Sequence, residues 1–132
     1  MAPELSMPKK PVISIVDDDE TVRETTLDLI SSMGFLVKSF ACADDFLKSD
    51  DLCRTSCLIA DMRMPGMTGL DLHNRLVESG TAIPTILITA FPDDRDRARA
   101  RQFGVKCYLA KPFEDKELLK CIRAAVGSAE PN

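Results

Sequence analysis

The sequence lacks several features that point to particular classes of protein. It has no tryptophan, one tyrosine and one histidine among 132 residues, so aliphatic side chains must supply most of the core. No apolar run approaches the roughly 20 residues of a membrane span, and residues 1–10 have no apolar centre like that of a signal peptide. The formal net charge of −4 argues against direct binding of nucleic acid by this domain. We therefore expect a cytoplasmic protein with a short flexible N-terminal tail over residues 1–10.

The cysteines and the histidine do not form a metal-binding pattern. The five cysteines are odd in number, and none of their spacings is C-x-x-C. They are Cys42, Cys53, Cys57, Cys107 and Cys121. Two of them lie in apolar runs, which favours a reduced protein with buried thiols over a disulfide or metal framework. His73 lies within a predicted helix without neighbouring ligands, so we expect no chemical role for it.

The sequence does contain an apolar run that ends in a single carboxylate. Residues 57–60 are small or apolar, Asp61 follows, and a loop containing Pro65 and Gly66 comes next. A run of this kind bounded by turn residues predicts a strand buried on both faces. Asp61 would then lie at the carboxyl end of the strand, where ligands bind in open α/β sheets. Alternatively, it begins the turn or caps a helix, as aspartate often does.

Strand and helix patterns alternate along the chain. Strands are predicted over residues 12–16, 35–40, 57–61, 84–88 and 106–110. Helices are predicted from Asp19 or Glu20 to Gly34, over residues 43–47, from Gly69 to about Gly80, from Pro92 to Gly104, and over residues 114–126. This order predicts an α/β fold, a three-layer sandwich with five helices on both faces of a five-stranded parallel sheet. We expect one domain over residues 11–127, followed by a linker or C-terminal tail over residues 128–132.

The polar residues worth attention all follow predicted strands. Asp17 and Asp18 end the first strand, Asp61 the third and Thr89 the fourth, while Lys111 follows the fifth. Parallel strands bring these ends together, and clustered carboxylates repel one another unless a cation neutralises them. Ligands that offer only oxygen select a hard ion such as Mg²⁺. An ammonium and a hydroxyl opposite the carboxylates suit a phosphoryl group, which Asp61 could accept as an aspartyl phosphate.

These residues resemble the receiver domain of a two-component response regulator. The resemblance covers residues 12–126. It rests on Val16-Asp17-Asp18, on Asp61 within D-M-R-M-P-G-M-T-G, on Thr89-Ala90, and on Lys111-Pro112 with Tyr108 three positions earlier. The wording around Asp61 and Lys111 is similar to that of receivers from nitrogen-fixation and nodulation regulators with a helix-turn-helix output. No single motif is decisive, but all four in order are highly specific.

The resemblance implies a role for each of these positions. Asp61 would be the phosphoacceptor, Lys111 would pair with it or with its phosphate, and Thr89 would contact a phosphoryl oxygen on activation. Thr89 and Tyr108 would be the switch residues. The implied ligands for Mg²⁺ are Asp17, Asp18, Asp61 and, through its backbone carbonyl, Arg63.

The resemblance also implies a fold, partners and an output. The sheet would have the flavodoxin-like order 2-1-3-4-5, and the Lys111-Pro112 peptide bond would be cis. A histidine kinase would donate the phosphoryl group. The change in conformation would then control an output, which the resemblance implies is transcription. The domain would catalyse only its own phosphorylation and dephosphorylation and would not be an enzyme. A homodimer that forms on phosphorylation is expected from the face of the fourth helix, fifth strand and fifth helix.

Three other interpretations are considered. A phosphatase of the haloacid-dehalogenase type also uses an aspartate nucleophile, but it needs a second aspartate two residues later, where this chain has Arg63. A nucleotide-binding module would need a glycine-rich loop after the first strand, and there is none. A degenerate receiver acting only as a scaffold would not need the acids, Thr89 and Lys111, so their presence argues against this alternative. Elsewhere, Asp19 and Glu20 are expected to cap the first helix, and the arginines at 95, 97, 99 and 101 to form a solvated helix surface.

Overall fold

The computed structural model describes residues 11–127, and the tails predicted over residues 1–10 and 128–132 lie outside them. Five strands form the sheet: β1 Val12–Val16, β2 Leu36–Phe40, β3 Thr55–Asp61, β4 Thr85–Thr89 and β5 Cys107–Ala110. Five α-helices alternate with them: α1 Glu20–Ser32, α2 Ala43–Leu47, α3 Gly69–Glu78, α4 Asp94–Gln102 and α5 Asp115–Val126. A 3₁₀ turn, Leu52–Arg54, precedes β3. The strands pair in parallel in the order β2-β1-β3-β4-β5, which confirms the predicted fold.

The sheet divides the core into two layers because successive side chains of a strand point to opposite faces. In β3, Leu58 and Ala60 face α2 and α3, whereas Cys57 and Ile59 face α1 and α5. All four side chains are fully buried, as expected for a central strand of a parallel sheet. β2 lies at the edge, and its Leu36 is 48% exposed, in agreement with its predicted edge position.

Two elements begin two residues away from the predicted position, for identifiable reasons, and the others begin within one residue of it. β3 begins two residues earlier than the apolar run, since Thr55 pairs with Val12 and its hydroxyl lies 2.7 Å from that of Ser14. Pro92 was predicted in the first turn of α4 but lies before it. The N-cap is Asp93, whose side chain accepts a hydrogen bond from the backbone N–H of Arg95 at 2.7 Å. A hydrogen bond of a polar side chain thus accompanies each of these two boundaries.

The helix α4 is attached to the rest of the molecule by few apolar contacts. Its only buried residue is Ala100, and its four arginines are exposed, which confirms the predicted solvated surface. Phe103, which follows the helix, is 45% exposed. Since burial of apolar area stabilises helices most, α4 depends on polar contacts at its two ends.

One cysteine prediction is wrong. A disulfide joins Cys107 of β5 to Cys121 of α5, with their Cα atoms 6.1 Å apart. The two residues are 14 positions apart and meet only because α5 packs back on the sheet, so their spacing in the sequence carried no signal. Cys57, in contrast, is a buried free thiol as predicted, and burial raises its pKa to about 12.

The single histidine has a structural role that its place in the sequence did not indicate. His73 is 5% exposed, and its Nδ1 and Nε2 lie 2.9 Å from the Thr85 hydroxyl and from the Phe103 carbonyl oxygen, respectively. A carbonyl oxygen only accepts, so Nε2 carries a proton that it donates to Phe103. His73 therefore ties α3 to the start of β4 and to the C-terminal end of α4.

The Lys111-Pro112 peptide bond is cis, as the resemblance implied. Within residues 11–127, no helix is both long enough and apolar enough to cross a membrane.

We expect His73→Ala to lower the free energy of unfolding by about 2 kcal/mol, because it leaves the buried Phe103 carbonyl without its donor and opens a gap beneath α4. At this chain length that corresponds to a fall in Tm of roughly 6–10 °C. Urea unfolding at pH 7 measures it, with Arg75→Ala on the exposed face of α3 as the matched control. Equal stability of the two variants would contradict the bridging role of His73.

Candidate functional site

The polar residues singled out in the sequence converge at one edge of the sheet. Asp17 follows β1, Asp61 is the last residue of β3, and Lys111 follows β5. One carboxylate oxygen from each of Asp17, Asp18 and Asp61 lies within 4.8 Å of the others. The Lys111 ammonium lies 3.0 Å from Oδ2 of Asp61 and 3.5 Å from Oδ2 of Asp17. The structure thus brings together four of the predicted site residues.

Local turns orient the two buried carboxylates in the same way. Oδ1 of Asp17 accepts a hydrogen bond from the backbone N–H of Asp19 at 2.9 Å, and Oδ1 of Asp61 accepts one from that of Arg63, also at 2.9 Å. These are the side-chain turns that aspartate forms with the backbone two residues later. In both residues the turn occupies one oxygen and leaves Oδ2 for Lys111. The turn interpretation of Asp61 is therefore confirmed, and the turn leaves Oδ2 available, so the two interpretations do not exclude each other.

The motif after Asp61 brings α3 directly against the end of β3. Thr68 caps α3, since its hydroxyl accepts from the Asp71 N–H at 3.0 Å while the Asp71 carboxylate accepts from the Thr68 N–H at 3.1 Å. A Cβ at Gly69 would lie 2.6 Å from the Asp61 carbonyl oxygen and 2.7 Å from a methyl group of Leu87. Glycine is required here by close approach, which explains the T-G ending of the motif.

The site carries more negative than positive charge. Asp17 is fully buried, and desolvation raises its pKa against the opposing effects of the Asp19 N–H and Lys111. Partial burial alone would lower the pKa of Lys111, but the hydrogen bond with Asp61 and the charges of both aspartates raise it. Three carboxylates thus face one ammonium, an excess of two negative charges.

This donor set fits a divalent metal ion. All three groups are carboxylates, which suit hard cations such as Mg²⁺. Asp18 is exposed, so the cluster is open to solvent on one side, while Asp17 and Asp61 form its buried wall. A doubly charged cation would balance the excess charge. The residues present therefore fit the metal that the sequence predicted.

The side chains of the two predicted switch residues form their hydrogen bonds with the loop that leads into α4. Thr89 is fully buried, and its hydroxyl accepts a hydrogen bond from the Phe91 N–H at 3.0 Å. The Tyr108 hydroxyl accepts from the Asp93 N–H at 3.2 Å, and the Arg97 guanidinium lies 4.8 Å from the centre of its ring. Both side chains thus contact the connection between β4 and α4 rather than the acidic cluster.

The Arg63 side chain makes a contact that the sequence did not predict, since the resemblance implied a role only for the Arg63 backbone carbonyl. The Arg63 guanidinium forms an ion pair with the Asp96 carboxylate of α4 at 3.0 Å. The two residues are 33 positions apart, so no local pattern could have indicated the pair. It links the loop after Asp61 directly to α4.

Comparison with known proteins gives concordant results. The family model described as the response regulator receiver domain matches residues 13–123. The chain is similar to the response regulator protein TmoT of Ectopseudomonas mendocina, with 41% identity over 115 residues that cover 87% of this chain and 52% of TmoT. It is 38% identical to nodulation protein W of Bradyrhizobium diazoefficiens over 116 residues, 88% of this chain and 51% of that protein. The chain thus spans about half the length of these relatives.

A solved structure agrees with the fold. The crystal structure of FixJ-N superposes with a TM-score of 0.81 at 31% identity, and the match covers 90% of this chain and 95% of that one. The sequence similarity to nitrogen-fixation and nodulation regulators is therefore accompanied by a common architecture.

The raised pKa of Asp17 predicts the sign of a stability change. A carboxyl group whose pKa is raised on folding contributes most to stability below its ordinary value of 3.8, and this contribution is lost as the pH rises through the folded-state pKa. In metal-free buffer at pH 7, we expect Asp17→Asn to raise Tm by a few degrees, with the gain shrinking towards pH 4. Calorimetry between pH 4 and 7 measures it. The control is Asp18→Asn, which removes a solvated charge and should change Tm less. A lower Tm for Asp17→Asn at pH 7 would overturn this account of the site.

Proposed function

Because the chain belongs to the response regulator receiver family, we propose that it accepts a phosphoryl group on Asp61 from a histidine kinase and relays this event to an output. The observation that carries the proposal is the placement of Asp61, at the end of a buried strand, 3.0 Å from the Lys111 ammonium and beside two further carboxylates. A carboxylate in this position is both oriented for attack and surrounded by groups that suit phosphoryl transfer.

The proposed reaction is a displacement at phosphorus. An Asp61 carboxylate oxygen forms a bond to phosphorus while the bond from the donor imidazole nitrogen to phosphorus breaks, and the electron pair stays on that nitrogen. Lys111 supplies positive charge next to Asp61 Oδ2, where phosphoryl oxygens would gather. The Arg63 N–H holds Oδ1 and so fixes the plane of the carboxylate. In this reaction the chain would catalyse only its own phosphorylation and dephosphorylation, so it would not be an enzyme that acts on a separate substrate.

Asp17, Asp18, Asp61 and the Arg63 backbone carbonyl are the proposed ligands of Mg²⁺. When bound, the ion would neutralise the excess carboxylate charge and offset the negative charge of the incoming phosphoryl group. Asp17, fully buried and linked to Lys111, would mainly orient the site, while the exposed Asp18 offers an accessible oxygen.

The proposed switch runs through Thr89 and Tyr108. A phosphoryl group on Asp61 would offer the Thr89 hydroxyl new acceptors in place of its present bond from the Phe91 N–H. A shift of Thr89 would leave space behind β4 into which Tyr108 could turn, breaking its bond to the Asp93 N–H. Since α4 buries only Ala100, loss of that bond should suffice to reorient the helix.

The output surface is proposed to be α4, β5 and α5, working in the cytoplasm. Acidic and basic residues alternate over residues 94–97 of α4, arginines follow at 99 and 101, and the helix is exposed. Two copies related by a two-fold axis could pair such charges reciprocally. The match covers about half of TmoT and of nodulation protein W, so control of transcription, as in related regulators, is proposed to act through an output module outside the receiver domain.

Incubation with acetyl phosphate and Mg²⁺ should add one phosphoryl group to the wild-type chain and none to Asp61→Asn. The reason is that Asp61 makes the shorter contact with Lys111, 3.0 Å against 3.5 Å for Asp17, and is not fully buried as Asp17 is. Intact-mass spectrometry measures the gain directly. Asp50→Asn, an exposed aspartate remote from the site, is the matched control and should gain one group.

The metal requirement is tested in the same assay. Chelation of Mg²⁺, or Asp18→Asn, should lower the extent of phosphorylation at least about tenfold. If Asp61→Asn gained a phosphoryl group to the same extent as wild type, Asp61 would not be the acceptor. If wild type were fully phosphorylated without a divalent ion, the proposed role of the metal would be wrong.

We expect the activated chain to dimerise weakly, since exposed ion pairs contribute only about 0–1 kcal/mol each. Sedimentation velocity with beryllofluoride and Mg²⁺ should show a dimer in low salt that dissociates in high salt. Arg95→Glu on α4 should weaken it, whereas Arg75→Glu on α3 should not. An activated chain that stays monomeric at high concentration in low salt would rule out this output mechanism while leaving Asp61 phosphorylation intact.

A further inference from the structure

A second group of reactive side chains lies outside the acidic site. Cys107 occupies the start of β5, directly before Tyr108, and Cys121 lies in the middle of α5. Their Cα separation of 6.1 Å falls within the range that a disulfide spans without movement of the backbone. The fold therefore holds the two sulfurs ready to pair.

The other cysteines differ from this pair. Cys57 is fully buried and its raised pKa of about 12 makes it inert. Cys42 and Cys53 are exposed and free. Of the five, only Cys107 and Cys121 combine a partner sulfur with a route to solvent, because Cys107 is partly exposed while Cys121 is 8% exposed.

A cavity of about 160 Å³ lies between α4 and β5 next to this pair, and its lining includes Cys107 and three basic residues. Arg97, Arg101 and Lys106 contribute to it, and no acidic residue does. The Cys107 side chain packs on the opposite face of β5, with Cys121, so the cavity does not hold the sulfur itself. Its three cations lie at the same edge of the sheet and would raise the local concentration of a small anionic disulfide. Glutathione disulfide, which carries several carboxylates, has this chemistry.

We propose that Cys107 and Cys121 form a reversible thiol–disulfide pair that exchanges with anionic disulfides of the glutathione class. Disulfides in reducing compartments are usually transient or redox-sensing, and the proposed function places this chain in such a compartment. The inference rests on the proposed function for that point only.

The exchange proceeds in two balanced steps. The partly exposed Cys107 thiolate attacks one sulfur of glutathione disulfide, the disulfide bond breaks, and one glutathione thiolate leaves. The Cys121 thiolate then attacks the Cys107 sulfur and expels the second glutathione. Two electrons pass from the protein thiols to the glutathione disulfide, and the two thiol protons end on the two glutathione molecules released.

Formation of the bond changes how firmly α5 is held. The disulfide ties the middle of α5 to the residue before Tyr108, and so joins two of the three elements of the proposed output surface. Local opening of α5 away from the sheet, a motion that amide hydrogen exchange detects, is then restricted. Oxidation would act on this surface without any change at Asp61.

The first test counts thiols in a Cys42→Ser/Cys53→Ser background, which leaves Cys57 and the pair. The folded chain is equilibrated with reduced and oxidised glutathione at varied ratios, quenched, unfolded, labelled with a maleimide and weighed. We expect three labels in excess reduced glutathione and one in excess oxidised glutathione, with full reversal. Three labels at every ratio, or one at every ratio, would overturn the proposal.

Single substitutions in that background separate the two steps. With Cys121→Ser, Cys107 should retain one glutathione as a mixed disulfide, whereas with Cys107→Ser the buried Cys121 should gain none. Arg101→Gln/Lys106→Gln should slow exchange with glutathione disulfide several-fold but not exchange with an uncharged disulfide such as hydroxyethyl disulfide. Equal slowing with both disulfides would refute the role of the cationic cavity.

The last measurement addresses α5. Amide hydrogen exchange over residues 115–126 should be about tenfold slower in the oxidised form, with no such difference in the Cys121→Ser variant. Unchanged exchange would refute the restraint on α5. Acetyl phosphate should modify Asp61 in both redox forms. Failure of that reaction would count against the proposed function alone, whereas failure of the predicted numbers of maleimide labels would count against this inference alone.

Discussion

Two buried carboxylates, Asp17 and Asp61, share a single ammonium group, and the arrangement of the site follows from that imbalance. Each carboxylate gives one oxygen to a backbone N–H and the other to Lys111, so neither is left unpaired, yet the cluster remains negative once Asp18 is counted. An added positive charge would stabilise this cluster, and a further negative charge would destabilise it unless a cation is bound nearby. The fold itself brings these side chains together, because the carboxyl ends of neighbouring parallel strands lie side by side.

Much of this site could be predicted from the sequence because its members occupy the same local context. Asp17, Asp61, Thr89 and Lys111 each follow a short apolar run, and a parallel sheet aligns the ends of such runs. The same logic predicted the five strands, although Thr55 extended β3 through a hydroxyl contact that apolar patterning does not record. Contacts between elements that only tertiary packing brings together could not be found this way. The Cys107–Cys121 disulfide, the Arg63–Asp96 ion pair and the bridge formed by His73 are of this kind.

In the proposed function, reaction and response belong to two separate regions of the molecule that meet at the loop before α4. The carboxylates lie at the strand ends beside β1 and β3, whereas Tyr108 and the cysteine pair lie on the side of β5. Thr89 belongs to both regions, since it ends β4 next to Asp61 and bonds to the loop that leads into α4. Arg63 forms a second connection through Asp96. Under the proposed function, an event at Asp61 would reach α4 by two short routes, one through Thr89 and one through Arg63.

The two ends of α4 are held in unequal ways. At its C-terminal end, the Phe103 carbonyl is bonded to a buried histidine, and Ala100 is packed in the core. At its N-terminal end, the attachments are the Tyr108 hydroxyl and the Arg63 ion pair, both at the surface. The helix is thus a lever with its fulcrum beside His73. Nine residues at about 1.5 Å each make an arm of roughly 13 Å, so a tilt of about 10° carries the far end through about 2 Å. A change beside Thr89 would therefore act at the end of the helix that is less firmly held, and the residue that sets the pivot is far from the carboxylates.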